Sequence, residues 1–234
     1  PNVLTVEEDR EVFGLAIQNT QSPTPAWGLD RVDQREKVGL PGSVSAYGYR
    51  SAGAGATIYI GDTGIYPHND LAGRISTSGY SSISDENGTV DCNGHGTHVA
   101  GTIGGTTWGV AKAVKLVPVR VLDCAGSGTL SGVIAGIDWV AGSTARPAVA
   151  NLSLGSSKSS TVNAAVAGAY NKGVTMVVAA GNSNADACLY SPSSEPTAIT
   201  VGATTSSDTR ASYSNFGTCV DIFAPGSSIT SAWY

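Results

Sequence analysis

Two of the three histidines of this chain lie close together in the segment NGHGTHVAGTIGG, at residues 93–105. His95 and His98 are three positions apart, and on a helix this spacing places both on one face. Gly94 and Gly96 flank His95 and remove side chains around it, which predicts an approachable imidazole at a helix start. Because an imidazole gains and loses a proton near neutral pH, His95 is a candidate general base. We expect His98 to be a hydrogen-bonded residue of the packed helix.

Asp62 stands at the end of the apolar run ATIYIG and precedes Thr63 and Gly64. A buried strand would thus deliver a carboxylate to its carboxyl end, where a charge without a partner is costly. An aspartate that orients an imidazole, which in turn takes a proton from a hydroxyl nucleophile, is the arrangement of a Ser-His-Asp triad. The alternative interpretation is an ordinary strand-end aspartate held by turn amides.

A second apolar run, VVAAGN at residues 177–182, also ends in a polar side chain. The amide of Asn182 could donate an N–H group to a developing oxyanion, and the small Ala179, Ala180 and Gly181 leave room for a substrate side chain. The alternative for Asn182 is a turn-forming asparagine. The glycine-rich segment CAGSGTLSG, at residues 124–132, could pair its exposed backbone with an extended peptide.

Five near-continuous apolar runs predict strands that are buried on both faces. Helical periodicity separates them. The helical pattern is clearest over residues 162–170, with Ser160 or Thr161 as the N-cap and Gly173 just beyond the end. A weaker pattern covers residues 133–140, and a third follows His95. This alternation predicts an α/β fold with a parallel sheet covered on both sides, whose ligands bind at the carboxyl ends of the strands. The runs are residues 56–64, 115–122, 148–154, 173–181 and 198–204.

The composition excludes several functional classes. Hydrophobic residues make up 41% of the 234 residues and charged residues 13%, which is typical of a globular protein. The net charge of −5 includes no basic run, so no nucleic-acid partner is expected. No apolar run approaches the roughly 20 residues of a membrane-spanning helix. The 4 cysteines form no C-x-x-C pair and favour two disulfides in an exported protein, with four buried thiols as the alternative.

Three of these segments, in their order and spacing, resemble the subtilisin-like serine proteases: DTG at residues 62–64, HGTHVAGTI at 95–103 and AAGN at 179–182. The segments NLSLG at 151–155 and SNFGTCVDIFAPG at 214–226 resemble the proteinase K branch, and aqualysin-like members most closely. The resemblance covers essentially residues 19–234. It implies a three-layer α/β fold, with a mostly parallel sheet and helices on both faces, that is incomplete at its C-terminus.

The resemblance also implies a secreted serine endopeptidase that works through an Asp-His-Ser triad and an acyl-enzyme intermediate. Asp62 would orient His95, His95 would act as general base and then acid, and Asn182 would donate to the oxyanion. The substrate would lie between two backbone segments and beside a third segment, which consists of small residues. The implied substrate-binding residues are Gly126, Ser127, Gly128, Ser153, Leu154, Gly155, Ala179, Ala180 and Gly181.

Two structural features follow from the same resemblance. The implied disulfides are Cys92 to Cys124 and Cys188 to Cys219. A structural calcium ion is implied as cofactor, bound by the Asp221 carboxylate and the carbonyls of Pro196 and Ala198. Asp30, Asp33 and Gln34 resemble ligands of a further calcium, but the stretch after them lacks the Asp and Asn that such sites also use.

The resemblance further divides the chain. Residues 1–18 would be the C-terminal remnant of an inhibitory propeptide that also assists folding, and residues 19–234 a peptidase domain without its C-terminal part. The family's nucleophile lies in a GTSMA segment, which the 234 residues do not contain and which would follow Tyr234. We expect this chain alone to be inactive and monomeric, with protein and peptide substrates and its own propeptide as partners.

Three alternatives remain open. Asp62, His95 and His98 could be zinc ligands, although the metallopeptidase pattern needs histidines four apart with a glutamate between them. The segment AGSGTLSG could bind a nucleotide, but its glycines do not match the dinucleotide fingerprint. A truncated subtilisin-like fold could also bind peptides without cleaving them.

Overall fold

A computed structural model of the chain describes residues 19–35 and 45–234. The predicted propeptide remnant at residues 1–18 lies outside these ranges. The strands are β1 (Asn19–Gln21), β2 (Tyr47–Tyr49), β3 (Thr57–Asp62), β4 (Tyr80–Ser81), β5 (Lys115–Arg120), β6 (Ala148–Leu152), β7 (Ser156–Ser157), β8 (Val174–Ala179), β9 (Tyr190–Ser191), β10 (Ile199–Thr204) and β11 (Ile222–Pro225).

Seven of these strands form one parallel sheet in the order β11-β10-β8-β6-β3-β5-β4. All five predicted strands belong to it, so the α/β fold class and the parallel sheet are confirmed. Strand β11 was not among the predicted strands, because its exposed Ile222 and Phe223 lack the continuous burial of a central strand. The pairs β1 with β2 and β7 with β9 form two small antiparallel sheets.

Four α-helices connect or flank the strands: α1 (Trp27–Val32), α2 (His95–Gly104), α3 (Leu130–Ala141) and α4 (Ser160–Asn171). The N-cap of α4 is Ser159, whose hydroxyl oxygen accepts the N–H of Val162, so the predicted cap at Ser160 or Thr161 was wrong by one or two positions. In the ranges that the structure covers, no helix is both long and apolar enough to span a bilayer.

The two faces of the sheet have separate hydrophobic cores. Helices α3 and α4 pack over one face, around Val119, Ile137, Val166 and Met176. Helix α2 lies on the other face, where Ala100 packs with Ile58, Ile60 and Leu116. The three-layer arrangement that the alternation predicted is therefore confirmed.

Both implied disulfides are present in the structure, Cys92 to Cys124 and Cys188 to Cys219. The first joins the segment before helix α2 to the loop between β5 and α3. The second joins the segment between β8 and β9 to the loop between β10 and β11. The first disulfide therefore lies beside the start of the helix that carries His95.

Candidate active site

Asp62 and His95 meet at the carboxyl end of strand β3. The side chain of Asp62 is fully buried, whereas that of His95 is 49% exposed. His95 Nδ1 lies 2.7 Å from Oδ1 and 2.9 Å from Oδ2 of Asp62, and the backbone N–H of Thr63 donates to Oδ1 at 2.7 Å. A buried carboxylate thus holds one edge of an imidazole whose other edge faces solvent.

This contact determines the protonation of the imidazole. The hydrogen bond to Asp62 raises the pKa of His95 above its ordinary value, against the lowering effect of partial burial, and the negative charges of Asp62 and Asp91 add to the rise. In the neutral ring the proton must be on Nδ1, because a carboxylate can only accept a hydrogen bond. The lone pair of Nε2 is then available to take a proton from a nucleophile.

The N-terminus of helix α2 is held by side chains from outside the helix. The first N–H groups of any helix lack partners within it and must be satisfied elsewhere. Here three side chains accept these N–H groups. Asn93 Oδ1 accepts the N–H of His95 at 3.2 Å, Thr63 Oγ1 accepts the N–H of Gly96 at 2.9 Å, and Asp91 Oδ2 accepts the N–H of Thr97 at 2.9 Å. The backbone that carries His95 is therefore fixed to the strand that carries Asp62.

Asp91 is a residue of this site that the sequence reasoning missed. Its side chain is buried, yet the two oxygens accept hydrogen bonds from the Thr63 hydroxyl, from the backbone and from Thr97. Burial alone would raise its pKa, but the hydrogen bonds from Gly94, Thr97 and Asn93 outweigh it and hold the pKa of Asp91 below its ordinary value. Its position four residues before His95 was the available signal.

The need for glycine at positions 94 and 96 has a different cause from the one predicted. A Cβ on Gly94 would lie 2.2 Å from the Trp233 ring, and one on Gly96 would lie 2.1 Å from the Gly64 carbonyl oxygen. Gly94 also has φ +106, which favours glycine. The imidazole is approachable as predicted, but the two glycines allow close packing of the helix start against other segments.

A cleft of about 520 Å³ opens beside His95. Its walls are the loop after β5 and the segment after β6, and Thr63, Asn93 and His95 line its end. A second pocket of about 270 Å³ adjoins it and shares the β6 segment. The predicted substrate-binding residues divide between them: Gly126, Ser127, Gly128, Ser153, Leu154 and Gly155 line the cleft, and Ser153, Leu154, Gly155, Ala179, Ala180 and Gly181 line the pocket.

Asn182 lines the smaller pocket and is exposed. Within the described residues its side-chain amide has no hydrogen-bond partner. The turn that carries Asn182 is built by the fully buried Asn215, which accepts the N–H groups of Ser183 and Ala185 and donates to the Ala180 carbonyl. Sequence reasoning missed Asn215, because it lies 30 and 32 residues from the turn amides that it binds.

His98 is separated from the pair formed by Asp62 and His95. Its Nε2 donates to the Ile229 carbonyl at 3.0 Å, and its ring packs edge-on against Trp233, as expected for a hydrogen-bonded residue of the helix. Among residues 19–35 and 45–234, one group of three side chains has its possible metal-binding atoms within 4.8 Å of one another: Asp85, Cys92 and Cys124. The sulfurs of Cys92 and Cys124 are bonded to each other in a disulfide. The geometry gives no support to zinc at Asp62, His95 and His98.

The residues implied for calcium lie around the start of strand β10. Asp221 Oδ2 accepts the N–H of Thr200 at 2.7 Å, which places this exposed carboxylate beside the strand. Pro196 and Ala198 belong to the turn just before the strand, where the Ala198 N–H donates to the Glu195 carbonyl. The Pro196 carbonyl accepts no hydrogen bond from the part of the chain that is described. Carboxylate and carbonyl oxygens are the donors that a hard cation prefers, so this donor set fits calcium.

Comparison with known proteins identifies the family. The model of the Subtilase family, Peptidase S8, matches residues 53–233. The chain is 57% identical over 235 residues to "Extracellular serine proteinase" of Thermus sp. (strain Rt41A), covering 100% of this chain and 55% of that protein. It is 52% identical over 237 residues to "Alkaline serine exoprotease A" of Vibrio alginolyticus, covering 100% of this chain and 43% of the relative.

A solved structure, described as a cold adapted subtilisin-like serine proteinase, superposes with a TM-score of 0.85 at 54% identity, covering 91% of this chain and 76% of that one. The chain thus spans about half the length of the curated relatives it matches. The family model covers most of the chain, and both relatives are more than 50% identical to it. The chain belongs to the Subtilase family.

Proposed function

We propose that this chain carries the aspartate and histidine of a serine endopeptidase. The observation that carries the proposal is the hydrogen bond from His95 Nδ1 to the buried carboxylate of Asp62, beside an open cleft. This arrangement leaves His95 Nε2 as a base directed to solvent. Peptide-bond hydrolysis needs such a base, a hydroxyl nucleophile and a donor for the oxyanion.

In the proposed reaction the serine hydroxyl attacks the peptide carbonyl while His95 Nε2 takes its proton. The same proton then passes to the leaving amine, and water hydrolyses the acyl-enzyme with His95 again as base. Asp62 keeps the imidazole in the required tautomer and stabilises its protonated form. The side-chain N–H group of Asn182 would donate to the oxyanion, consistent with its exposure and with the lack of another partner among the described residues.

We place the nucleophile on a segment that follows Tyr234 in a longer protein. A groove of about 400 Å³ supports this placement. It runs between helix α2 and the strands beside it, is lined by Val99, Ile103, Val177 and Val201, and reaches Asn182. A helix packed there would cover these apolar side chains and could bring a serine to the cleft. A hydrophobic dye should therefore bind to the exposed groove of the 234-residue chain. The dye should not bind there in a protein that continues past Tyr234 and covers the groove.

The test compares the 234-residue chain with a protein extended past Tyr234 through a GTSM-like segment. We expect the extended protein to hydrolyse a chromogenic peptide and the shorter chain to show only background. His95→Ala should abolish the activity. His68→Asn is the matched control, because His68 Nδ1 only accepts the Asp70 N–H in a turn away from the cleft, and asparagine can replace that acceptor. A folded extended protein without activity would contradict the proposal.

Peptide binding without hydrolysis is a second candidate for the chain as it stands. It is favoured because both walls of the cleft, residues 125–130 and 153–156, belong to this chain. An extended peptide would pair with these backbone segments as an added strand. Calorimetric titration of a peptide into the 234-residue chain tests this candidate. Binding without turnover in both the short and the extended forms would favour it over catalysis.

We propose protein and peptide substrates and an extracellular location. In the described lining of the two pockets, His95 is the one side chain that can carry a charge near neutral pH, which suits uncharged substrate side chains beside the scissile bond. A relative's name, "Extracellular serine proteinase", and the two disulfides support export. Fractionation of the producing cells, with immunodetection of the protein in the medium, tests the location.

We also propose that Asp221, Pro196 and Ala198 bind a structural calcium ion. The oxygen donors described above support the site, and ligand binding to the folded state alone raises stability by mass action. Thermal unfolding of the chain in CaCl₂ should occur at a higher temperature than in EDTA. Asp221→Asn should remove this difference, whereas Asp186→Asn, a change in a helix-capping carboxylate, should leave it in place. Identical unfolding with and without calcium would contradict the site.

Residues 1–18 are proposed to be the remnant of an inhibitory propeptide, with cleavage near Gln18 or Asn19. N-terminal sequencing of the natural mature protein tests the boundary, and a start well inside the domain would contradict it. A synthetic peptide of residues 1–18 should also inhibit the mature extended protein. We expect the peptidase domain to sediment as a monomer.

A further inference from the structure

We propose that Asp91 is a positioning residue for His95, because a single buried carboxylate ties the strand end that carries Asp62 to the helix start that carries His95. The proposal deepens the proposed function and rests on it. Asp91 lies in the segment between these two elements and touches neither the cleft nor a substrate position. Its action would therefore pass through the residues that it holds.

The two oxygens of Asp91 have different partners. Oδ1 accepts the Thr63 hydroxyl at 2.8 Å and the N–H groups of Asn93 and Gly94, each at 2.9 Å. Oδ2 accepts the N–H of Thr97 at 2.9 Å and its hydroxyl at 2.5 Å. Oδ1 thus connects the residue after Asp62 with the turn before His95. Oδ2 fixes the first turn of the helix itself.

Thr63 completes the connection. Its hydroxyl donates to Asp91 and accepts the N–H of Gly96, so the link runs from the strand through one hydroxyl to the helix. Thr63 is fully buried, and so water does not compete for these bonds. Because Asp62 precedes Thr63 and His95 precedes Gly96, a shift of either element would change the distance between the carboxylate and the imidazole.

The charge of Asp91 has no cationic partner in the described ranges. All of its donors are neutral N–H or O–H groups, and several lie at a helix N-terminus, which favours a negative charge. Among the described residues, the charged groups that act on His95 are Asp62, at the end of β3, and Asp91, in the loop before α2. Asp91 therefore acts on His95 in two ways: it fixes the position of the imidazole relative to Asp62, and its negative charge favours the protonated ring. A residue that only capped the helix would leave the protonation of His95 unchanged.

The first test uses the 234-residue chain and does not need activity. The ring resonances of His95 are followed by NMR against pH in the wild type, in Asp91→Asn and in Asp138→Asn. We expect the pKa of His95 to fall in Asp91→Asn and its Nδ1 proton to exchange faster with water. Asp138→Asn removes one exposed carboxylate of helix α3 and should change neither. A folded Asp91→Asn chain with the His95 titration and Nδ1 exchange of the wild type would overturn the proposal.

Thr63→Val is the second variant, in case Asp91→Asn does not fold. It keeps the shape and the Asp91 charge but removes the hydroxyl that joins strand to helix. We expect faster exchange of the His95 Nδ1 proton, and an unchanged exchange rate in the folded variant would contradict the link. In the extended protein, Asp91→Asn should lower kcat by about 10-fold or more, with KM little changed. An inactive wild-type extended protein with the NMR effects present would instead refute the proposed function alone.

Discussion

Asp62 and His95 form an asymmetric pair, in which one side chain is fully buried and the other is half exposed. A buried carboxylate cannot turn to solvent, so it keeps its hydrogen bonds to the imidazole and to Thr63. The imidazole keeps one nitrogen in the open cleft. At the scale of the residue, burial decides which partner is held in place and which one faces the cleft.

Asp62→Asn should lower the pKa of His95, because the hydrogen bond to the carboxylate is the largest cause of its rise. Asparagine can also donate to Nδ1 and so favour the wrong tautomer, with the proton on Nε2. Proteolysis by the extended protein should therefore fall by about 10⁴-fold. NMR titration of His95 and peptide hydrolysis measure the two effects. An unchanged titration would show that Asp62 does not control the imidazole.

The same pair makes stability depend on pH. The folded-state pKa of His95 lies above its ordinary value of 6.5, so protonation contributes stability that is fully present below about pH 6.5 and is lost as the pH rises through the folded pKa. Asp62→Asn should reduce this loss. Urea unfolding of both chains at pH 6 and at pH 9 measures it, and equal pH dependence in the two would contradict the assignment.

Gly94→Ala should destabilise the chain more than Gly73→Ala does. Both glycines have positive φ, +106 and +75, but a Cβ at Gly94 would meet the Trp233 ring, whereas nothing lies within 4 Å of one at Gly73. Backbone strain and the displaced ring should together cost about 1–3 kcal/mol at Gly94, against about 1 kcal/mol at Gly73. Urea unfolding of the two variants tests this difference. Equal losses would mean that the ring moves aside freely.

At the scale of the element, strands β3 and β8 and helix α2 place the site. The strands end at Asp62 and Ala179, and the next residues turn to line the cleft and the smaller pocket. Helix α2 begins at His95, so its first turn lies at the same edge of the sheet. Ligand sites at the carboxyl ends of parallel strands follow from this geometry.

Met176→Ala should weaken strand β8 and the core beneath helix α4. Met176 is almost fully buried in the core cluster on that face, and its truncation would leave a cavity among well-packed side chains. We expect a loss of about 2–5 kcal/mol in the free energy of unfolding. Thr175→Ala changes the adjacent exposed residue and should cost no more than about 0.5 kcal/mol. Chemical denaturation of both variants measures the difference, and similar losses would argue against this packing.

At the scale of the whole molecule, two disulfides close loops of similar length, with sequence separations of 32 and 31. Replacing either pair with serines should lower the free energy of unfolding by about 3–4 kcal/mol, because the unfolded chain gains freedom. Only the loss of the bond from Cys92 to Cys124 should also disturb the site. Cys92 lies three residues before His95, and Cys124 precedes the cleft loop.

The two double variants serve as controls for each other. Urea unfolding gives the stabilities, and the NMR resonances of His95 report on the site. We expect these resonances to move when Cys92 and Cys124 are replaced and to stay in place when Cys188 and Cys219 are replaced. Movement in both variants, or in neither, would contradict a separate role for the first disulfide.

The sequence by itself determined the strand runs, the three longer helices and the pairing of Asp62 with His95. These features are local, since burial on both faces makes a strand apolar throughout, and a helix repeats its apolar residues with its own turn. The resemblance to the family added the disulfide pairs and the residues of the cleft. Local residue patterns, and the order and spacing of the motifs, were enough for these predictions.

Only the tertiary structure decided how those residues are held. Gly94 makes room for Trp233, Asn215 builds the turn of Asn182, and Asp91 joins a strand to a helix. Each of these contacts brings together side chains from separate segments, and the folded positions of both segments are needed to see it. A buried polar group must find its partners wherever the fold provides them, so its role cannot be deduced from local sequence alone.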